Sequence, residues 1–143
     1  MNLNKYFKNE RKFKNKIVVI SAKDEASKYI WSFGARHKLH LDIDVDFRES
    51  YVAVVDRKRK FIYEEASKKM INCSYKVSDN NYIDIISAGF DAGNKSSIKA
   101  NNKEYSLNKT GLNIAIFNYK TLKLIDSFNV NTYIGTSLKI NRK

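Results

Sequence analysis

Apolar and polar residues alternate most strictly between positions 39 and 46, where Leu39, Leu41, Ile43 and Val45 interleave with His40, Asp42, Asp44 and Asp46. Successive strand side chains point to opposite faces, so this period of two predicts a strand with an apolar inner face and an acidic outer one. Residues 17–20 are instead continuously apolar, the pattern of a strand buried on both sides. Residues 51–56, 60–64, 74–77, 82–87, 96–100, 112–118 and 122–129 read as further short strands. In the 112–118 run Leu112, Ile114 and Ile116 share one face and Asn113 and Ala115 the other. The first set is expected to pack on Ile17, Val19 and Val54. Arg57-Lys58-Arg59-Lys60 reads as a hairpin tip.

Helical spacing is scarcer. Leu3, Tyr6, Phe7 and Phe13 recur at near-helical intervals, with Lys5, Lys8, Lys12 and Lys14 on the wet side, so residues 3–14 predict a short amphipathic helix. Residues 21–24 are expected to turn out of the sheet. A second helix is expected over 25–38, through Ala26, Tyr29, Ile30 and Phe33, with Gly34 weakening or ending it. Many strands and one or two flanking helices give an α+β fold, a mostly antiparallel β-sandwich or strongly curved sheet. No repeat, low-complexity linker or boundary divides residues 1–143, so one domain is expected.

Composition narrows the setting. The single Cys73 has no internal disulfide partner, consistent with a reducing compartment. No apolar run approaches the ~18 residues of a spanning helix, and the Lys- and Asn-rich start has no signal-peptide core, so a cytoplasmic protein without membrane insertion is expected. The formal net charge is +12, and proline is absent. Abundant Lys, Asn and Ile, whose codons are AT-rich, suggest an AT-rich and bacterial genome. The charge itself reads either as a solvated lysine-rich surface or as a partner for polyanions.

Candidate chemistry is sparse. Asp42, Asp44 and Asp46 have the spacing that opens a calcium loop, but the loop glycine and distal glutamate are missing, and on a strand they form a solvated face. His37 and His40 are three apart, yet no cysteine lies near them and Gly34 makes a continuous helix there doubtful. No serine sits in a nucleophile elbow, and Gly89 and Gly93 lack the lysine of a phosphate loop. These glycines read as turn positions. No catalytic residues, metal or cofactor are assigned, and a non-enzymatic role is expected.

Several segments share a pattern. Ser87, Gly89 and Gly93 give S-x-G-x-x-x-G, followed by a turn at Ala100-Asn101-Asn102-Lys103, the strand start Gly111-Leu112-Asn113-Ile114 and a closing Phe128-Asn129-Val130-Asn131-Thr132-Tyr133. Upstream, an apolar strand runs into Lys23-Asp24-Glu25-Ala26-Ser27, and Phe47-Arg48-Glu49-Ser50-Tyr51 opens another strand. Together they resemble the interleaf, or GG, domain of the interleukin-like EMT inducer family, and are similar to the stem domain of protein O-mannose N-acetylglucosaminyltransferase. The order differs from the family, in which the G-L-N strand precedes the K-D-E and F-R segments. Either the segments are circularly permuted, which is tolerated where chain ends lie close together, or the chain is cut across tandem copies. Permutation would bring Tyr133 near Leu3.

The resemblance implies a function. In the stem domain the aspartate of K-D-E and the arginine of F-R belong to a shallow sugar site, which places Asp24 and Arg48 in a carbohydrate-binding role here. A third family contact, an arginine before the G-L-N strand, corresponds to Thr110, a departure that tells against an identical ligand specificity. An ionised carboxylate accepts hydrogen bonds from vicinal hydroxyls and a guanidinium offers a rigid fork of donors, but the same pair could be a structural salt bridge. Trp31, Tyr51, Tyr63 and Tyr119 are candidate stacking faces for a sugar ring or else core residues. The implied partners are a glycan or a glycosyltransferase in surface-polysaccharide assembly. The alternative is a basic module that binds single-stranded nucleic acid through charge and stacking.

Overall fold

The run that is apolar on both sides, residues 17–20, becomes the strand on which the sheet is assembled. The computed structural model describes residues 2–27, 35–132 and 139–142. Among them are ten strands: β1 (Lys16–Asp24), β2 (Ser50–Asp56), β3 (Phe61–Ser67), β4 (Ile71–Ser78), β5 (Asn81–Gly89), β6 (Lys95–Ala100), β7 (Lys103–Glu104), β8 (Gly111–Asn118), β9 (Leu124–Val130) and β10 (Ile140–Asn141). Two short α-helices accompany them, α1 (Leu3–Tyr6) and α2 (Ala35–Lys38), with 3-10 turns at Glu10–Phe13 and Phe90–Ala92. The sheet is curled and mostly antiparallel, as the α+β reading expects. No helix among the described residues is long and apolar enough to cross a membrane.

One edge of β1 pairs antiparallel with β8 from Lys16↔Asn118 to Lys23↔Gly111. The other edge forks. It pairs with β2 from Ile17↔Asp56 to Ser21↔Val52, then with β5, in parallel, at Lys23↔Ala88 and Asp24↔Gly89. Two leaves therefore share β1: β3-β2-β1-β8-β9-β10 and β4-β5-β6-β7. The Arg57–Lys60 tip joins β2 to β3, as expected.

Both faces of the first leaf are buried. Val18, Ile20, Ala53, Val55, Leu112, Ile114 and Ile116 pack beneath Leu3, Phe7, Phe13, Leu39 and Leu41. Ile17, Val19, Val52, Val54, Ala115 and Phe117 face Ile71, Ile83, Ile85 and Ile98 of the second leaf. The expected packing of Leu112, Ile114 and Ile116 on Ile17, Val19 and Val54 is therefore wrong. Directly paired residues share a face, and the pairs are Val18↔Ile116 and Ile20↔Ile114. With both strands apolar on both sides, no polar face marks the phase, and a one-residue slip reverses the assignment.

Four other expectations are corrected. Residues 3–14 form two separate turns, because Asn9 accepts a hydrogen bond from the Arg11 amide at 3.1 Å and starts a new cap midway, as Asn2 does for Lys5 at 3.0 Å. Leu3, Tyr6, Phe7 and Phe13 are buried nonetheless. Residues 39–46 belong to no strand: residues 39–40 are a turn with His40 at φ 57°, and in the loop that follows the Glu64 carboxylate takes the Asp42 amide at 2.6 Å and the Ile43 amide at 3.3 Å. Their alternation survives as burial, with Leu39, Leu41 and Val45 inside and Asp42, Asp44 and Asp46 outside. Residues 21–24 continue β1, since β5 and β8 supply partners there. Of the helix expected over 25–38, residues 25–27 are not helical and α2 is its last turn. Tyr29, Ile30, Trp31, Phe33 and Gly34 lie outside the described residues, as does Tyr133. The described residue next to Tyr133 is Thr132, which is buried and donates its hydroxyl to the Ala26 carbonyl at 3.0 Å.

At the fork, buried serines cross between strands to backbone groups of the neighbouring leaf. Ser21 Oγ donates to the Ile86 carbonyl at 2.6 Å, and Ser87 Oγ donates to the Ala22 carbonyl at 2.6 Å. Ser87 Oγ also accepts the Tyr51 amide at 2.9 Å, and Ser50 Oγ accepts the Gly89 amide at 3.0 Å. A buried amide left unpaired costs about 1–3 kcal/mol, so these hydroxyls help hold the leaves together.

Candidate functional site

The topology gathers chain segments at one rim. β2 and β8 run against β1 while β5 runs with it, so the ends of β1 and β5 meet the starts of β2 and β8. Asp24 ends β1, Arg48 precedes β2, Phe90 follows β5 and Thr110 precedes β8. The structure thus brings Asp24, Arg48 and Thr110 to the same place.

Their local backbone is unusual. Asp24 and Arg48 have φ of 66° and 59°, the left-handed region that non-glycine residues seldom occupy. Such conformations cost on the order of 1–3 kcal/mol each and persist where the surroundings over-determine them. Around Arg48 the surroundings are visible. Its amide donates to Glu25 Oε2 at 2.8 Å, and the other oxygen of that buried carboxylate takes the Ser27 amide at 2.7 Å and hydroxyl at 2.5 Å. Beneath the turn lies Gly89, where a Cβ would stand 2.0 Å from the Arg48 carbonyl oxygen. Only glycine lets the 47–48 turn rest directly on β5.

An open cleft of about 230 Å³ results, lined by Asp24, Glu25, Phe47, Arg48 and Phe90. Asp24 Oδ2 accepts a hydrogen bond from Thr110 Oγ1 at 3.0 Å, which orients the carboxylate. The Arg48 guanidinium lies over two rings, 4.8 Å from the Phe47 centroid and 4.3 Å from that of Phe90. Those rings are 66% and 48% exposed, far more than phenylalanines in a core. The salt bridge contemplated between Asp24 and Arg48 is not formed. Arg48 instead pairs with the exposed Asp91 at 3.9 Å, a contact worth little in water. Asp24 and Arg48 are left as separate polar walls of one cleft.

The aromatic residues singled out by sequence are elsewhere. Tyr51 is fully buried and donates to Glu64 Oε2 at 2.7 Å. Tyr63 is half-buried, and its bond to Glu65, then burial and the Glu65 charge, push its hydroxyl up to about 12. Tyr119 is half-buried at the opposite end of the sheet, and Trp31 is outside the described residues. Phe47 and Phe90 were missed because phenylalanine defaults to the core. The available signal was local: Phe47 sits beside a turn arginine, and Phe90 lies between Gly89 and Gly93, a position with no apolar periodicity.

Nothing in the remaining candidates builds a reactive centre. Asp44 pairs with Arg36 at 3.2 Å, and among the described residues no three His, Cys, Asp or Glu side chains are grouped to hold a metal ion. Gly93 has φ of 128° and ends the 3-10 turn after β5. Burial first, then the Glu65 and Asp84 charges, push the Cys73 thiol up to about 11, so it is a poor nucleophile at neutral pH.

Comparison with known proteins adds no relative: no family model, curated protein or solved structure matches the chain. The likeness to the interleaf family therefore rests on the motif residues themselves.

Proposed function

We propose that this protein is a non-catalytic carbohydrate-recognition domain, or an accessory domain of a glycosyltransferase, serving bacterial surface-polysaccharide assembly in the cytoplasm. One observation carries the reading: Asp24, oriented by Thr110, and Arg48, drawn from distant segments, line an open cleft walled by two exposed phenylalanine rings. A sugar ring has apolar C–H faces and a polar rim of hydroxyls. Phe47 and Phe90 suit the faces, the Asp24 carboxylate suits a pair of hydroxyls, and Arg48 suits a ring or hydroxyl oxygen.

Glycan-array screening followed by calorimetry tests this. A saturable ligand is expected, with Asp24→Ala, Arg48→Ala and Phe47→Ala each weakening it by at least about 1 kcal/mol, the scale of a hydrogen bond to a charged group, while thermal unfolding stays cooperative. Absence of any glycan ligand, or normal binding by all three variants, would overturn the proposal.

A further inference from the structure

The opposite end of the first leaf carries a second concave surface with the reverse electrostatic character. The β2–β3 tip, Arg57–Lys60, stands there beside the segment that leads into β1. The Arg57 amide donates to the Lys16 carbonyl at 3.1 Å, and the Tyr119 amide to the Asn15 carbonyl at 3.2 Å, so three chain segments are knit together. Two adjoining clefts result. One, of about 310 Å³, includes His40, Arg57, Lys60 and Ile62 in its lining; the other, of about 280 Å³, is lined by Glu10, Arg11, Lys14, Arg57 and Lys60. Arg57 and Lys60 belong to both, which makes the two clefts one track.

The acidic groups here do not cancel its charge. Asp56 is fully buried and already satisfied, by Arg59 Nη1 at 2.8 Å and the Tyr75 hydroxyl at 2.7 Å. Asp56 lines the larger cleft and Glu10 the smaller, against Arg11, Lys14, Arg57 and Lys60. The Arg57 guanidinium is held in place by one bond, Nη1 to the Lys38 carbonyl at 3.0 Å, so little side-chain entropy remains to be lost on binding. Across the tip from the clefts, the half-buried ring of Tyr119 packs against the inter-leaf core and lies near two cations, with Lys58 Nζ 5.5 Å and the Arg59 guanidinium carbon 5.7 Å from its centroid.

We infer that this track binds single-stranded nucleic acid, its phosphates following Arg11, Lys14, Arg57 and Lys60 and a base stacking at Tyr119. Concave basic walls fit a flexible phosphate chain, and an aromatic face beneath cations is the usual seat of an unpaired base. Duplex bases are stacked on one another and leave such a ring without a partner. The surface is independent of the rim that holds Asp24 and Arg48, being separated from it by the seven residues of β2, roughly 20 Å at about 3.3 Å per residue.

Fluorescence anisotropy with a labelled thymidine homopolymer tests the inference. Four phosphate contacts at about −0.7 each give a slope of log affinity on log salt near −3, so affinity falls about 50-fold from about 50 to about 200 mM salt. Arg57→Ala/Lys60→Ala is expected to weaken binding at least tenfold at the lower salt and to halve the slope, and Lys14→Glu to weaken it as well. Lys68→Ala/Lys69→Ala, which removes the same charge at the other end of β2–β3, and Asp24→Ala should leave it unchanged. Three results would each overturn the inference. One is no binding at low salt; another is equal weakening by the Lys68/Lys69 control. The third is affinity for heparin or for phosphatidylserine–phosphatidylcholine vesicles as high as for the strand.

Discussion

Gly89→Ala is the most informative single change, because it adds one methyl group at the junction of the fork and the cleft. Gly89 has φ −64° and ψ 179°, which alanine adopts freely, so backbone preference alone makes the change favourable by about 0.4–1 kcal/mol through the unfolded chain. Contact decides otherwise. The new Cβ would lie 2.0 Å from the Arg48 carbonyl oxygen, 2.9 Å from its carbonyl carbon and 3.1 Å from that of Glu49, all backbone atoms. Relief needs a shift of about 1 Å, and the turn is tied by the Glu25–Arg48 bond at 2.8 Å and the Gly89–Ser50 bond at 3.0 Å. Overpacking typically costs about 1–3 kcal/mol and weakening a charged hydrogen bond adds about 1 more; set against the unfolded-chain gain, a net loss of about 1–3.5 kcal/mol is expected. Urea titration measures it, with Gly93→Ala as comparison. There φ is 128° and the nearest atom is 3.6 Å away, so strain acts without a clash. A Gly89→Ala protein as stable as wild type would refute the argument that the 47–48 turn rests on β5.

Two further outcomes follow from the packing. Ile114→Ala should cost about 2–5 kcal/mol, since Ile114 is 1% exposed and packed on the face of Ile20 and Ala53; a loss below about 1 kcal/mol in urea titration would contradict that burial. Asp126 links the start of the chain to β10, accepting from the Tyr6 hydroxyl at 2.7 Å and Arg142 Nη2 at 2.6 Å. Burial alone would raise its carboxyl, but those two bonds and the Arg142 charge outweigh it and hold the group below the ordinary carboxylate value. A lowered folded value means the stabilisation is complete above about pH 4, the unfolded value, and is lost as pH falls through the folded one. Arg142→Ala, on a half-exposed partner, should therefore cost about 1 kcal/mol at neutral pH, and its stability should converge with wild type in acid.

How far the sequence reveals this molecule depends on where polar residues sit. Strands such as 51–56 and 112–118 are legible because short apolar runs are bounded by turn residues. Pairing phase is not legible for β1 and β8, which are apolar on both faces. Segment 39–46 shows a different failure: alternation records burial on one side, which a loop satisfies once Glu64 replaces a neighbouring strand. At the site, Asp24, Arg48 and Thr110 emerge from motif resemblance, while Phe47 and Phe90 do not. Their exposure is created by the rim, a tertiary arrangement absent from any local window. The buried serines are hidden likewise, since a serine at a fork and one in a loop look alike in sequence.

The fork also fixes how the cleft can change shape. Phe47 and Arg48 ride on the first leaf, and Phe90 and Asp91 on the second, so the gap between the rings reports the angle between the leaves. Serine hydroxyls join the leaves there beside the short β1–β5 ladder, and the 47–48 turn rests on Gly89, so the rim couples both leaves. A substitution deep between the leaves, at Ile85 or Ile98, should be felt at the rim as a change in width, without touching any residue that lines it.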